Sequence, residues 1–204
     1  MPHRFAEVAF TSTVKKVQEA LGSRSAYARM ENLPDEVNHR LTESEASFIA
    51  ARNSLYIATV SETGWPYIQH RGGPTGFVRV LDESTIGFVD FRGNRQYVSV
   101  GNLTTESRVS LFFMDYPNKA RLKLFGCARI IELDDRAMLS RLEMPNYHAR
   151  IERGIAITVE GFDWNCPQHI TPRYTLEEIA TTVADLKARI AELETALNHA
   201  PLRK

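Results

Sequence analysis

From Ser54 onward the chain is written in short runs of β-branched and aromatic residues separated by turn residues, and this cadence constrains the fold more than any other feature. SLYIATV, PYIQHR, GFVRVLD, TIGFVDF, RVSLFFMDY, ARLKLFGCARIIEL and GIAITVEGF follow in turn, with Glu-Thr-Gly and Gly-Gly-Pro among the breaks. Such residues suit a pleated, half-buried surface, and turns at these intervals predict an antiparallel meander or small barrel. Ser61 to Gly64 reads as a hairpin loop joining the first two runs. Helices flank and interrupt the strands. Phe10 to Leu21 spaces Val14, Val17 and Leu21 by three and four and stops at Gly22. Thr42 and Glu45 form a capping box ahead of Ala46, Ile49 and Ala50, and Asn53 ends that helix. Two further helices are predicted, one after Asn94 and one across Asp134 to Glu143, whereas the basic, aromatic GSRSAYARMENLP is read as irregular. The class is therefore mostly β with helices: residues 1–53 a helical segment, 54–174 the barrel domain and 175–204 a C-terminal helix.

That last segment follows a different rule. Ile179, Val183, Leu186, Ile190, Leu193 and Leu197 recur at alternating steps of four and three, a heptad seam with charges on the other faces. The seam either packs on the chain's own barrel or associates with another helix as a coiled coil.

Lys plus Arg equals Asp plus Glu at 25 each, so no overall field draws this chain to nucleic acid or to an acidic membrane surface. Any anion site must be local. The cysteines, Cys127 and Cys166, lack metal-ligand spacing, and neither a signal-peptide core nor an apolar run of membrane-spanning length is present. A cytoplasmic location without a metal is the expectation.

Four stretches carry candidate chemistry. In DFRGNRQYVSVGNL, Asp90 to Leu103, a helix is expected to begin near Asn94. Its unpaired N–H groups, with Arg95 and Arg92, suit a phosphate, and Gly93 is expected to make the turn. The competing reading is a plain turn with solvated arginines. G-x-x-x-x-G-K-[ST] and G-x-G-x-x-G are both missing, which disfavours nucleotide binding of the usual α/β kind. In GWPYIQHRGGPTGF, a strand would point Tyr67, Gln69 and Arg71 to one face and Ile68 and His70 to the other. Gly72 and Gly73 would let a flat ring approach, while His70 alone could equally be a core histidine. In RLKLFG, Arg121 and Lys123 share a face that is either a ligand wall or solvated. In WNCPQH, Trp164 to His169, a loop packed around a ring is preferred to a Cys166–His169 nucleophile, since no orienting third group can be identified. Arg24, Tyr27 and Arg29 are read as a packing segment in preference to a lid.

Taken in order, GWPYIQHRGG, GFVDFRGNRQYVSVGNL, LFFMDYP, RLKLFG and FDWNCPQHI resemble flavin-nucleotide-binding proteins related to pyridoxamine 5'-phosphate oxidase, over roughly Gly22 to Tyr174. The resemblance implies an FMN-binding split β-barrel, as a homodimer with FMN at the subunit interface. It implies that Gln69, His70 and Arg71 line the flavin, that Asp90 and Phe91 sit along it, and that Asn94, Arg95 and Gln96 bind its phosphate. Arg121 falls at a polar contact from a later strand, and Trp164 and Gln168 in a C-terminal loop that reaches the partner's flavin. The activity it implies is oxidoreductase chemistry, with hydride transfer at the flavin N5 to or from a small-molecule substrate or electron donor. A flavin carrier, sensor or partner subunit is the alternative, and a haem-binding or haem-degrading barrel the second. The Arg-x-His substrate motif of the oxidases proper is replaced here by HITPRYT, so vitamin B6 oxidation is not expected.

Overall fold

The computed structural model describes residues 3–32, 38–164 and 167–198. The chain divides into two compact units, 1–115 with 120–167, and 116–119 with 168–204.

The first unit carries the sheet. Its elements are α1 (Arg4–Ala9), α2 (Ser12–Ala20), α3 (Arg24–Glu31), α4 (Glu43–Ala50), β1 (Ser54–Val60), β2 (Pro66–Gly72), β3 (Arg79–Asp82), β4 (Thr85–Phe91), α5 (Val98–Thr105), β5 (Arg108–Asp115), β6 (Ala120–Ile131), α6 (Arg136–Leu142) and β7 (Ile151–Trp164). The seven strands run in the order β2-β1-β5-β6-β7-β4-β3, and every pairing is antiparallel. β2 and β3 are the edges, so the sheet curls without closing, a split barrel. Two of the strand runs, SLYIATV and TIGFVDF, match β1 and β4 residue for residue.

Alternation decides the faces. Leu55 and Ile57 of β1, Leu111 and Phe113 of β5, and Leu122 and Leu124 of β6 turn inward to meet Phe77, Phe88 and Ile157 in one apolar core. Full burial of side chains of this kind contributes about 1.5–3 kcal/mol each. A smaller cluster forms where Leu139 and Leu142 of α6 cover Val89, Ile131 and Ala156. The predicted capping box exists: Thr42 Oγ1 accepts from the Ser44 amide, and Glu45 Oε2 accepts from the Thr42 amide at 3.0 Å.

Two helical expectations need correction. The stretch read as irregular contains α3, which buries none of its residues and so offers no apolar stripe to read. It is held by polar contacts instead: Arg24 donates to Gln18 at 2.9 Å and pairs with Glu31, which also pairs with Lys15 at 3.0 Å. The helix expected near Asn94 begins only at Val98.

The second unit contains α7 (Leu176–Asn198), as the heptad pattern predicts. Thr175 and Glu178 exchange hydrogen bonds at its start, Thr175 N to Glu178 at 2.7 Å and Glu178 N to Thr175 at 3.2 Å. No described helix is long and apolar enough to cross a membrane.

Candidate functional site

β2 and β4 lie far apart in strand order, yet the curl of the sheet brings their ends together. Arg71 at the end of β2 donates to Asp90 at the end of β4 at 2.7 Å, bridging the open seam of the barrel. Asp90 is buried, and its other oxygen accepts from Arg153 at 3.2 Å. Arg153 is the register partner of Asp90 across the β4–β7 ladder, and a bulge follows at once, between Asp90 and Phe91. Bulges of this kind re-aim a strand end, and here the chain leaves the sheet for the loop that carries Asn94 and Arg95.

A cavity of about 310 Å³ occupies the seam. Its walls come from Gln69 to Gly72, from Phe88 to Phe91, and from the loop and first turn of α5, including Gly93, Asn94, Arg95, Tyr97 and Ser99. Phe77 and Phe88, edge to face with centroids 6.0 Å apart, back the cavity from the core and are each only 1% exposed. α5 is fastened into the seam from both sides: Ser99 donates to Gln69 Oε1 at 2.9 Å, and the buried Asn102 amide donates to Thr59 at 2.9 Å.

The alternation expected along β2 is present. Tyr67, Gln69 and Arg71 are half-buried on one face, and Ile68 and His70 are exposed on the other. His70 is thus no core histidine; its ring stands edge-on to Tyr56 at 5.6 Å, beside the cavity. Gly73 does not open space for a ring, because a Cβ there would lie 2.7 Å from Phe77 Cβ. Its missing side chain lets Phe77 into the core.

Gly93 likewise does not make the special turn. Nothing lies within 4 Å of a Cβ built on it, and the left-handed residues of the loop are Arg95 (φ 61°) and Tyr97 (φ 54°). Two non-glycine residues in that region within three positions store strain that surrounding contacts must hold. Those contacts exist. Asn94 Oδ1 accepts from the Gln96 amide at 3.2 Å, Arg95 Nε donates to the Tyr97 hydroxyl at 3.0 Å, and that hydroxyl donates to Glu152 at 3.2 Å. The Arg153 guanidinium lies 5.1 Å from the Tyr97 ring centre. Tyr97 precedes α5 as its N-cap and gives no side-chain cap, so the first turn begins without one at the cavity. The Arg95 pKa is raised by the Tyr97 hydrogen bond, which leaves it charged throughout.

Other expected site residues lie elsewhere. Gln96 is exposed in the loop without lining the cavity, and neither Arg121 nor Trp164 lines it. Arg121 stands opposite Met114 on the β5–β6 ladder, its Nε buried with no hydrogen-bond partner. Its neighbour Lys123 pairs with Asp163 at 2.8 Å. The Trp164 indole donates to Glu45 at 2.7 Å and stands edge-on to Phe48, tying the end of β7 to α4. Gln168 and His169 are exposed in the second unit, and Cys166 lies outside the described residues. Sequence reasoning missed Arg153, Glu152, Tyr97 and Ser99. Arg153 sits 63 positions from Asp90, and its one local signal was an Ile-Glu-Arg-Gly run leading into a predicted strand.

The profile of the pyridoxamine 5'-phosphate oxidase family matches residues 41–163. Among solved structures, a candidate pyridoxamine 5'-phosphate oxidase from Lactobacillus delbrueckii is 22% identical over 62% of this chain and 96% of that one, with a TM-score of 0.48. An FMN-binding protein from Syntrophomonas wolfei is 12% identical over 72% and 97%, at 0.49. HupZ from Group A Streptococcus is 16% identical over 66% and 99%, at 0.44. No curated protein sequence matches the chain significantly. The matched segment runs from just before the capping box of α4 to the end of β7 and takes in the cavity with all seven strands: the chain belongs to the pyridoxamine 5'-phosphate oxidase family.

Proposed function

We propose that the chain binds FMN in the seam cavity and acts as an FMN-dependent oxidoreductase on a small organic substrate, as a homodimer. The observation that carries this reading is the pairing, in one cavity, of an uncapped helix start beside Arg95 with walls formed by Arg71, Phe91 and Tyr97. A phosphate is favourably held where a helix presents free N–H groups, the more so beside a guanidinium whose planar fork matches its oxygens. A flat ring with a polar edge suits aromatic walls with a few fixed donors. The residues present therefore fit the group. Asn94, Arg95 and the first turn of α5 would hold the phosphate, and Gln69, His70, Arg71 and Phe91 the ring.

FMN, when bound, supplies the hydride-accepting nitrogen and the redox chemistry. The chain supplies position and charge. Arg71 is held by Asp90, and Asp90 by Arg153, so the positive charge on the cavity wall stays fixed while surroundings change. A preorganised cation of this kind stabilises negative charge developing on a ligand with little reorganisation. Ser99 occupies the carbonyl oxygen of Gln69, leaving the amide N–H groups to donate into the cavity.

The homodimer reading is supported along edge strand β2. Ile68, 66% exposed, shares the outer face of the strand with His70, and Trp65, 76% exposed, immediately precedes it, so this edge offers apolar surface that a second copy would cover. Anaerobic mixing of the FMN-loaded protein with NADH or NADPH and a panel of small oxidisable compounds should bleach the flavin absorbance with at least one of them. Persistent colour across the panel, despite bound FMN, would move the reading to a flavin carrier or sensor.

A further inference from the structure

We infer that α7 is a dimerisation helix that pairs with α7 of a second copy of this chain as a parallel, in-register two-stranded coiled coil. The inference is independent of the flavin reading. The helix is 23 residues long and bears its apolar residues on one seam, Leu176, Ile179, Val183, Leu186, Ile190 and Leu193. Along that seam Leu176 is 85% exposed, Leu186 59%, Ile190 55%, Leu193 53% and Val183 39%, while Ile179 is half-buried. Isolated helices are marginal in water, and helical stability comes chiefly from burying an amphipathic face. A seam of this regularity therefore calls for an occupant.

The register names it. With Leu176 at the first core position, Val183 and Ile190 follow at a positions, and Ile179, Leu186 and Leu193 fall at d. Over the second and third heptads Val183 and Ile190 at a with Leu186 and Leu193 at d form the combination that favours two parallel strands over three or four; the first heptad, Leu176 and Ile179, does not follow it. The flanking charges agree. In a parallel pair a g residue faces the e residue of the following heptad on the partner, which sets Arg189 against Glu194 of the second copy. The preceding g position is Thr182 opposite Lys187, which brings no like charges together. The outer positions are occupied by small and acidic residues, Ala184, Asp185, Ala188, Ala191 and Glu192, as a solvated face requires.

Cysteine cross-linking of the full chain tests orientation and register together, with Cys127→Ser and Cys166→Ser removing the native thiols. Leu193→Cys lies toward one end of the helix at a core position, so only a parallel, in-register pair brings it against its own copy. Oxidised glutathione should convert most of this variant to a covalent dimer on a non-reducing gel, while Ala188→Cys on the outer face stays largely monomeric. Adding Ile190→Lys to Leu193→Cys should abolish the cross-link. Absence of the Leu193→Cys dimer with an unchanged helical circular dichroism signal would overturn the inference. So would equal cross-linking at Ala188→Cys, or a Leu193→Cys dimer that survives Ile190→Lys.

Discussion

Two concavities of the sheet are opposite in character. The seam cavity, about 310 Å³, is framed by Arg71, Asp90, Arg95 and Glu152, whereas a larger hollow of about 510 Å³ is lined mainly by Val8, Ala58, Val60, Pro66, Phe125 and Cys127. Volume alone would favour the second. A specific site, however, needs a few fixed polar groups to orient its ligand, and the larger hollow, though Thr59, Ser110, Arg108 and Glu160 border it, presents an almost wholly apolar surface. In the seam, the polar groups that could orient a ligand are themselves held by other protein groups: Arg71 by Asp90, which Arg153 also holds, Arg95 by Tyr97, and Tyr97 by Glu152. The difference teaches that the site is recognised by the fixed polar groups its surface presents, not by how much space it encloses.

The comparison can be broken most forcefully at Asp90. Asp90→Ala leaves Arg71 without its counter-charge and Arg153 with only Glu152, 3.8 Å away, and deleting one partner of a buried pair costs about 3–5 kcal/mol. Arg71 and Arg153 keep 17% and 16% of their side-chain surface, so the lower end, about 3 kcal/mol in urea unfolding, is expected. A loss under about 1 kcal/mol would class the network with solvated surface pairs. Next in size, Arg95→Glu should weaken FMN binding at least about tenfold, the scale of losing a charge-assisted hydrogen bond, with the fold intact by circular dichroism. Equal affinity would place the phosphate away from this loop.

Glu45 separates the frame from the site. Burial raises its pKa, but hydrogen bonds from Thr42 and Trp164 outweigh that and hold it below the ordinary 4.5. The stabilisation it provides is therefore complete above pH 4.5 and is lost as pH falls through the lower, folded-state value. Glu45→Gln should cost about 1 kcal/mol near neutrality. It should also lose less stability than the parent chain between about pH 6 and about pH 3, with FMN affinity at neutral pH unaltered. Smallest of all, Cys127→Ser in the apolar hollow should change stability by no more than about 0.5 kcal/mol and leave FMN binding intact; displaced flavin would put the ligand in the wrong concavity.

Much of this frame was legible because the physics is local. A strand with one buried face writes its alternation into sequence, which is why β1 and β4 were read to the residue, and the capping box at Thr42 and Glu45 is a contact within one turn. α3 was not legible, since its support is an ion cluster reaching back to Lys15 and Gln18, and no apolar stripe marks it. The same distinction divides the site. Gln69, Arg71 and Arg95 lie in motifs, but Arg153 becomes a site residue only through strand register, and Tyr97 only because it takes the left-handed conformation before α5. Gly93 drew attention that belonged to Arg95 and Tyr97, because glycine signals a turn in sequence whether or not the fold uses its freedom.

The central claim, that the seam cavity holds FMN, is tested most directly by titrating FMN into cofactor-stripped protein and into Arg95→Glu while following flavin fluorescence. Saturable quenching at one FMN per chain in the parent, with affinity reduced at least about tenfold in the variant, is the predicted result. A parent chain that leaves the fluorescence unquenched, or that binds no more tightly than Arg95→Glu, would contradict it.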